Sequence, residues 1–538
     1  MKMHGQAGAG CSVEADEPRT AASSASSVSS CPPHEGIADG TAKTLCRANG
    51  SLLSSTSFLL ACAAFLVLGA AWAQDFPGSM FSFLADRFGP DRFTETENQL
   101  LYSVYSWPNV VLVALAGFAM DGALGVRRGT VLFAGFACVG QLLFSAAVQW
   151  RLYPLAVAGR FVFGIGGEAI KVAQNTWIVR LSPSPNMAFR FGVVLSVARL
   201  AAASNFALTP TIADASPEAA IWLGTVTNAV SFGASLLLVL GHLRAARPSP
   251  SSCPQCDGTA SIENESPDKR MVSRSAITSP ADSAAQPNDF AIRRAVISMY
   301  RTLRSFPQQV WLQLALCMFY HVGVLLLLQV GARYLQAAPA LQGDARVASL
   351  LVSIPVFIGV LGIPLFGRMI DQFGHALASI CGASLLLVLA HILLLAYLLQ
   401  WVETSSAAGW TVCVLAWVLV GLSYAVATAS IWPLVPFLLP PEQIATCYGT
   451  MTSIENLGLA VVSLLLPYLE RAPQVQGTDW QYALPLLLLM LCALVAAGIA
   501  AVQLHLDRAQ GGRLSKAARY RGTLASSPSG PEQAVLLD

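Results

Sequence analysis

The chain has 538 residues, 54% of them hydrophobic and only 12% charged, with a mean hydropathy of +0.57, whereas a soluble domain carries roughly 25% charged residues. Lys and Arg total 32 against 30 Asp and Glu, a formal net charge of +2, so no single-sign field points to nucleic acid or another polyanion. An ordinary soluble protein is excluded, and the lipid bilayer is the expected partner.

Residues 1–50 are rich in Ser, Ala and Gly without hydrophobic periodicity, and are expected to form a disordered leader. A helix needs about 20 apolar residues to cross the hydrocarbon core. Twelve such runs follow, centred near 57–74, 100–119, 130–149, 153–177, 188–210, 219–242, 308–335, 346–367, 377–400, 410–437, 444–468 and 481–504. A Ser/Pro-rich polar stretch near 245–290 divides them six and six. The expected fold is an all-α membrane protein: leader 1–50, six-helix bundle 51–243, linker 244–306, second six-helix bundle 307–506 and tail 507–538.

The first run ends in Ala71-Trp72-Ala73, a passable signal-peptidase site. Cleavage is not expected, because it would leave eleven helices and a polar leader unlike a short basic signal. Arginines near 127–128, 180–190, 244–247, 293–304 and 508–521 lie on one side of the spans, against Arg87, Arg92, Arg151, Arg333, Arg346 and Arg471 on the other. The positive-inside rule then places both termini and the linker in the cytosol.

A short motif recurs after the second span of each half: Gly117-Phe-Ala-Met-Asp121-Gly-Ala-Leu-Gly125-Val-Arg127-Arg128 and Gly367-Arg-Met-Ile-Asp371-Gln-Phe-Gly374-His375. Glycine permits close helix approach, and each aspartate can meet a helix N-terminus or an arginine. Copies at matching positions of two six-helix halves read as a parallel repeat with a site between the halves.

An ionisable side chain at bilayer depth costs about 2.5–3.5 kcal/mol even on the gentler scales, so it should face a cavity or a partner. The fourth span carries Arg160, Glu168 and Lys171, the fifth Arg199, the seventh His321, the ninth His391 and the eleventh Glu455. Glu168, Lys171 and Asn175 share one helical stripe. Glu168 and Arg199 together suit a zwitterion, with the carboxylate taking an ammonium and the guanidinium a carboxylate. The alternative is a structural ion pair between the fourth and fifth spans. His321 and His391 are candidate proton relays, against simple hydrogen bonding to a neighbouring helix.

No cofactor or metal is expected. Most cysteines sit in apolar runs as small hydrophobes, and Cys253-Pro-Gln-Cys256 lacks a second ligand pair. The sequence has no phosphate-cradling Gly-x-x-x-x-Gly-Lys-Ser/Thr, Gly-x-Ser-x-Gly or His-Glu-x-x-His, which argues against an ATP-driven pump and makes an enzyme the weakest class.

Four stretches in order, Tyr105-Ser-Trp107-Pro108-Asn109, Gly159 to Glu168, Val172-Ala-Gln-Asn175-Thr176, and Trp432-Pro433 through Tyr448-Gly449 to Asn456-Leu-Gly458, resemble the major facilitator superfamily domain-containing protein 1 group of lysosomal dipeptide transporters. Arg508 to Gly512 also matches, and the resemblance spans roughly 60–240 and 310–515. It implies a uniporter moving dipeptides out of the lysosome by alternating access, protected by a glycosylated single-span accessory protein. Glu168 would hold the dipeptide amino terminus and Arg199 its carboxylate, and Tyr105, Trp107, Asn109, Asn175, Asn205, Tyr320, Trp432 and Asn456 stand at pocket positions. Asp121, Arg127 and Asp371 would be gate elements, and Arg160, within the superfamily's fourth-helix motif, is a gate or packing residue.

Lys171 and Glu455 depart from the family pattern. Their opposite signs suggest mutual compensation, with Lys171 as a second carboxylate anchor favouring acidic dipeptides, or Glu455, with His321, as a coupling site for protons.

The tail ends Glu532-Gln-Ala-Val-Leu536-Leu537-Asp538, an acidic dileucine pattern of the kind adaptor proteins read on endolysosomal cargo. Asn-x-Ser/Thr occurs only at Asn49 and Asn264, both on the expected cytosolic side, so bare luminal loops fit dependence on a glycosylated partner. Two rival readings stay open: a proton-coupled carrier of sugars or amino acids, and a peptide sensor or scaffold that moves nothing.

Overall fold

A computed structural model describes residues 55–89, 91–182, 186–245, 289–341, 344–471, 480–512 and 514–515. The leader, most of the linker with Asn264 and its Cys-Pro-Gln-Cys, Asn49, and the dileucine pattern lie outside these residues. The described part belongs to one unit, Gly50–Asp538, and is helical throughout, with no strand among the described residues.

Eleven segments are long and apolar enough to cross a membrane. Tyr153–Leu181, also of membrane-spanning length, falls short of that hydropathy because it carries Arg160, Glu168 and Lys171. It is the fourth of the twelve expected spans. The first span is two helices, Thr56–Phe65 and Leu68–Gln74, and the second is Glu95–Ser106 followed by Asn109–Asp121. Pro108 explains the second break: it has no N–H, and its ring crowds the preceding turn. The Asn109 amide donates to the Tyr105 carbonyl at 2.8 Å and to the Gly164 carbonyl at 3.0 Å, so the irregular backbone is tied to the fourth span. A capping box formed by Thr94 and Glu97 starts the second span several residues before its apolar run. Two short helices, Phe76–Ser79 and Phe81–Phe88, occupy the connection between the first two spans.

The remaining spans are Gly125–Trp150, Met187–Ala215, Pro217–Ala245, Gln308–Gln336, Ala345–Phe373, Ala376–Leu398, Ala407–Leu434, Ile444–Glu470 and Ala483–Ala509. Asp289–Arg304, within the linker, is a further helix.

The two repeated aspartates bind alike. Asp121 accepts from the backbone N–H groups of Ala445 and Thr446 (3.2 and 2.6 Å) and from the Thr446 hydroxyl (2.8 Å), at the start of the eleventh span. Asp371 accepts from the N–H groups of Ala188 and Phe189 (3.0 and 2.7 Å), at the start of the fifth. Each carboxylate thus satisfies orphan donors at a helix N-terminus of the opposite half. The backbones lie close enough that a Cβ on Gly117 would sit 2.2 Å from the Ala445 carbonyl oxygen, and one on Gly367 would sit 2.4 Å from that of Ala188.

Arg127 takes no part in this contact: its side chain is exposed, and the arginine in electrostatic reach of Asp121 is Arg180. A gate role for Arg127, implied by the resemblance, therefore does not run through Asp121 in this conformation. Arg160, read as a gate or packing residue, lies near the beginning of the fourth span, and its contacts there are those of packing.

A Gly117→Val chain cannot bring its second and eleventh spans together at this face. Cys447, buried beneath the contact, is then expected to become alkylated by a polar maleimide, as read by peptide mass spectrometry; a still-protected Cys447 would contradict the packing.

Candidate binding site

The charges of the fourth span have separate solutions. Arg160 is fully buried and donates to the carbonyls of Ala73 (2.9 Å) and Gln74 (2.8 Å), the last residues of the first span. A cation at a helix C-terminus satisfies orphan carbonyls and complements the dipole. Its guanidinium also lies over the rings of Phe163 and Tyr105, at 5.1 and 5.3 Å. These contacts make Arg160 a clamp between the first and fourth spans.

Glu168, 4% exposed, accepts from the Tyr105 hydroxyl and pairs with Lys171 on its own helix at 2.7 Å. Lys171, 31% exposed along its side chain, reaches the Gln74 amide oxygen at 3.1 Å. The compensation suggested by the opposite signs of Lys171 and Glu455 is therefore not a direct pair between them. Spacing favours the shorter link: residues three apart on one helix are neighbours.

Arg199 does not pair with Glu168, so a structural ion pair between the fourth and fifth spans is not formed. Its half-buried guanidinium sits over the Tyr424 ring of the tenth span at 5.0 Å, where the two halves meet. Among the described residues no carboxylate forms an ion pair with it. Asp75, just past the first span, is within electrostatic reach of Arg160, Lys171 and Arg199. Burial raises its carboxyl above the ordinary value, and those three cations pull it back down. The sequence reading missed Gln74 and Asp75, although a polar pair closing an apolar run was visible. Gln74 closes the first apolar run and Asp75 opens the connection that follows it.

Of the other pocket candidates, Asn175 is buried on the Glu168 and Lys171 stripe with its carbonyl oxygen unpaired among the described residues, and the Asn456 amide nitrogen is likewise unpaired. Polar atoms of this kind suit water or a polar ligand. Trp432 is half-buried between the rings of His321 and Tyr448, each 6.0 Å away.

Four candidates take other places. Tyr320 is fully buried, its hydroxyl 2.8 Å from that of Ser423, and packs within the C-terminal half. Asn205 is fully buried and accepts from Thr209 at 2.7 Å and Ser79 at 3.3 Å, pinning the fifth span to the short helix after the first. Asn109 mends the break in the second span. Trp107 is 48% exposed and, two residues from both Tyr105 and Asn109, points away from the fourth span. His391 is fully buried and bonded to the Leu387 carbonyl at 2.7 Å, a packing histidine.

Glu455 has different company. Its carboxylate lies 3.9 Å from the His321 Nδ1 and 3.9 Å from the Cys317 Sγ, both on the seventh span. Cys317 had passed as a small hydrophobe, although its i, i+4 spacing to His321 was legible.

Paired inverted contacts between two helical halves, with charges gathered on the fourth and fifth spans, define a carrier of the major facilitator type. The model of the Major Facilitator Superfamily matches residues 56–463, and the chain belongs to that superfamily. The solved proton:xylose symporter XylE bound to 6-bromo-6-deoxy-D-glucose superposes with a TM-score of 0.61 at 12% identity, covering 88% of this chain and 100% of that one. Within the superfamily the chain belongs to the MFSD1 group. It is 30% identical to the lysosomal dipeptide transporter MFSD1 of Danio rerio over 68% of this chain and 70% of that protein, and 28% identical to that of Mus musculus over 88% and 90%.

Because Lys171 is committed to Glu168 and Gln74, Lys171→Ala should alter uptake evenly across neutral, basic and acidic dipeptides. A selective loss of acidic dipeptides in a competition panel would restore the reading of Lys171 as a side-chain anchor.

Proposed function

We propose that this chain is a lysosomal dipeptide carrier that works by alternating access as a uniporter. The observation that carries the reading is the half-buried Arg199 guanidinium at the junction of the halves, without a carboxylate ion-pair partner among the described residues. A mid-membrane guanidinium demands an anionic or aromatic partner, and a peptide carboxylate satisfies it bidentately. Glu168, held by Tyr105 and Lys171, offers its carboxylate to the peptide ammonium, displacing or sharing the lysine. Asn175, Asn456 and Trp432 stand by to meet the peptide bond. The names of the related proteins support the substrate class.

In the cycle, the contacts of Asp121 and Asp371 with the eleventh and fifth spans close one face. Breaking them and closing the other face carries the dipeptide across without exposing it to lipid. The arginine-rich side that bears these aspartates is read as cytosolic, so the closed face seals the cytosolic exit. Bare connecting loops on the opposite side fit a glycosylated single-span partner, and the dileucine pattern Glu532, Leu536 and Leu537 fits adaptor-driven sorting.

Proteoliposomes with a dipeptide panel test the reading. Arg199→Ala removes a charge-assisted contact of about 1.5–3 kcal/mol, an affinity loss of roughly ten- to a hundredfold, and Glu168→Gln should weaken peptides but not N-acetylated analogues. Unchanged affinity in both variants refutes the anchor assignment, and full competition by single amino acids or sugars refutes the substrate class. Dipeptide-induced stabilisation without flux would identify a sensor.

The 3.9 Å approach of His321 and Glu455 favours proton coupling as the second reading. Uphill uptake driven by an imposed pH difference, and lost in Glu455→Gln, decides for it; uptake that follows only the dipeptide gradient decides for uniport.

Replacing Leu536 and Leu537 with alanine should move the carrier to the cell surface, as seen by surface biotinylation. Unaltered lysosomal residence would assign sorting to the partner or another signal.

A further inference from the structure

We infer that Cys317, His321 and Glu455 form a binding site for a borderline-soft divalent metal ion of the Zn²⁺ class, tying the seventh span to the eleventh inside the C-terminal half. The three donors converge from two helices: one ligand atom of each lies within 4.8 Å of the others. The Cys317 Sγ is 3.2 Å from the His321 Nδ1, and Glu455 oxygens lie 3.9 Å from each of them. Tetrahedral zinc with its usual bond lengths separates neighbouring sulfur, nitrogen and oxygen ligands by about 3.3–3.8 Å. Oε1 of Glu455 faces His321 and Oε2 faces Cys317, so a rotation of the carboxylate together with side-chain torsions would complete three corners.

The donor set decides the class of ion. Thiolate and imidazole select against Ca²⁺ and Mg²⁺, which take oxygen ligands, while the carboxylate selects against Cu⁺, which prefers sulfur. Charge points the same way. Glu455 is the one formally charged member of the group, and among the described residues no lysine or arginine forms an ion pair with it. A proton shared with His321 would neutralise it but gives the thiol no role. A divalent ion with one thiolate and one carboxylate sums to zero, the least costly state for a site inside a membrane protein.

Binding has a definite proton balance. The Cys317 thiol gives its proton to solvent and becomes the sulfur ligand. In the structure the His321 Nδ1 is also 2.9 Å from the Cys317 carbonyl oxygen, to which an Nδ1–H donates. Ligation through Nδ1 exchanges that bond for the metal and leaves the ring proton on Nε2. Cys317 is fully buried and His321 nearly so, whereas Glu455 is 14% exposed along its side chain, so the ion enters, and a water completes its shell, from the Glu455 side. Trp432 packs against the His321 ring at 6.0 Å, which places the occupied site beside a wall of the proposed dipeptide path. The site does not depend on the dipeptide reading.

The test uses the full-length protein in detergent at near-neutral pH, freed of metal by chelation and titrated with Zn²⁺ and, in parallel, Co²⁺. Expected are a rise in the thermal midpoint with Zn²⁺ that EDTA reverses, and a near-ultraviolet thiolate-to-cobalt charge-transfer band with tetrahedral visible bands. Cys317→Ser should abolish the charge-transfer band, and Glu455→Gln should weaken Co²⁺ binding at least about tenfold. Cys413→Ser, on the tenth span, should leave both unchanged. No charge-transfer band in the unsubstituted chain overturns the proposal whether or not the variants fold. So does a band that survives Cys317→Ser, or equal stabilisation by Mg²⁺. Transport that depends on pH through Glu455 in a protein showing no cobalt band assigns the cluster to protons and also overturns it.

Discussion

Three charged side chains on one membrane-spanning helix constrain everything around them. A low-dielectric interior tolerates charge only with a partner, and each of the three recruits its partner from a different place. Arg160 takes the frayed end of the first span, Glu168 takes a tyrosine from the second, and Lys171 divides itself between Glu168 and Gln74. The fourth span thereby becomes the post to which the first two are tied. Both of those are broken helices, whose freed backbone groups need such ties. Arg199 forms no ion pair with a carboxylate among the described residues, although Asp75 lies within its electrostatic reach, and it faces the other half.

The contacts between the halves are of a different kind. Asp121 and Asp371 bind backbone N–H groups at helix N-termini, with close glycine contacts behind them. A charge at a helix end contributes about 0.3–1 kcal/mol at exposed sites and up to about 2 when partly buried. In the proposed cycle, contacts of this size would hold a face shut and still be exchanged for contacts at the other face. The Arg160 clamp, by contrast, lies wholly within one half, as does the union of Arg333, Tyr334 and Glu470 at 2.6 and 2.8 Å in the other. Strong polar ties inside each half and lighter ones between them are what a rocking carrier requires, because each half then moves as a body.

Much of this was legible along the chain. Length and apolarity placed eleven of the spans, and the fourth, less apolar for its three charges, was legible as a run of the same length. The recurrence of Gly117 to Asp121 at Gly367 to Asp371 revealed the repeat, and the scarcity of membrane charges singled out Glu168, Lys171 and Arg199. Less legible were residues whose chemistry suits two roles. Tyr320, Asn205 and Asn109 have the polarity of a binding wall, but Tyr320 bonds to Ser423, the Asn205 oxygen to Thr209 and Ser79, and the Asn109 nitrogen to the break in its own span, while the Asn205 nitrogen and the Asn109 oxygen are unpaired among the described residues.

By itself the sequence determined the membrane class and singled out the ionisable groups within the apolar spans, because these follow from local composition and from the price of charge in hydrocarbon. Only the tertiary structure decided how those groups are shared out. Lys171 turned to its own helix instead of to Glu455, Arg199 turned to the tenth span instead of to Glu168, and Cys317 became a neighbour of Glu455. Electrostatic energy depends on separation, and separations between residues on different helices are set by packing angle and depth, which periodicity along one chain does not record.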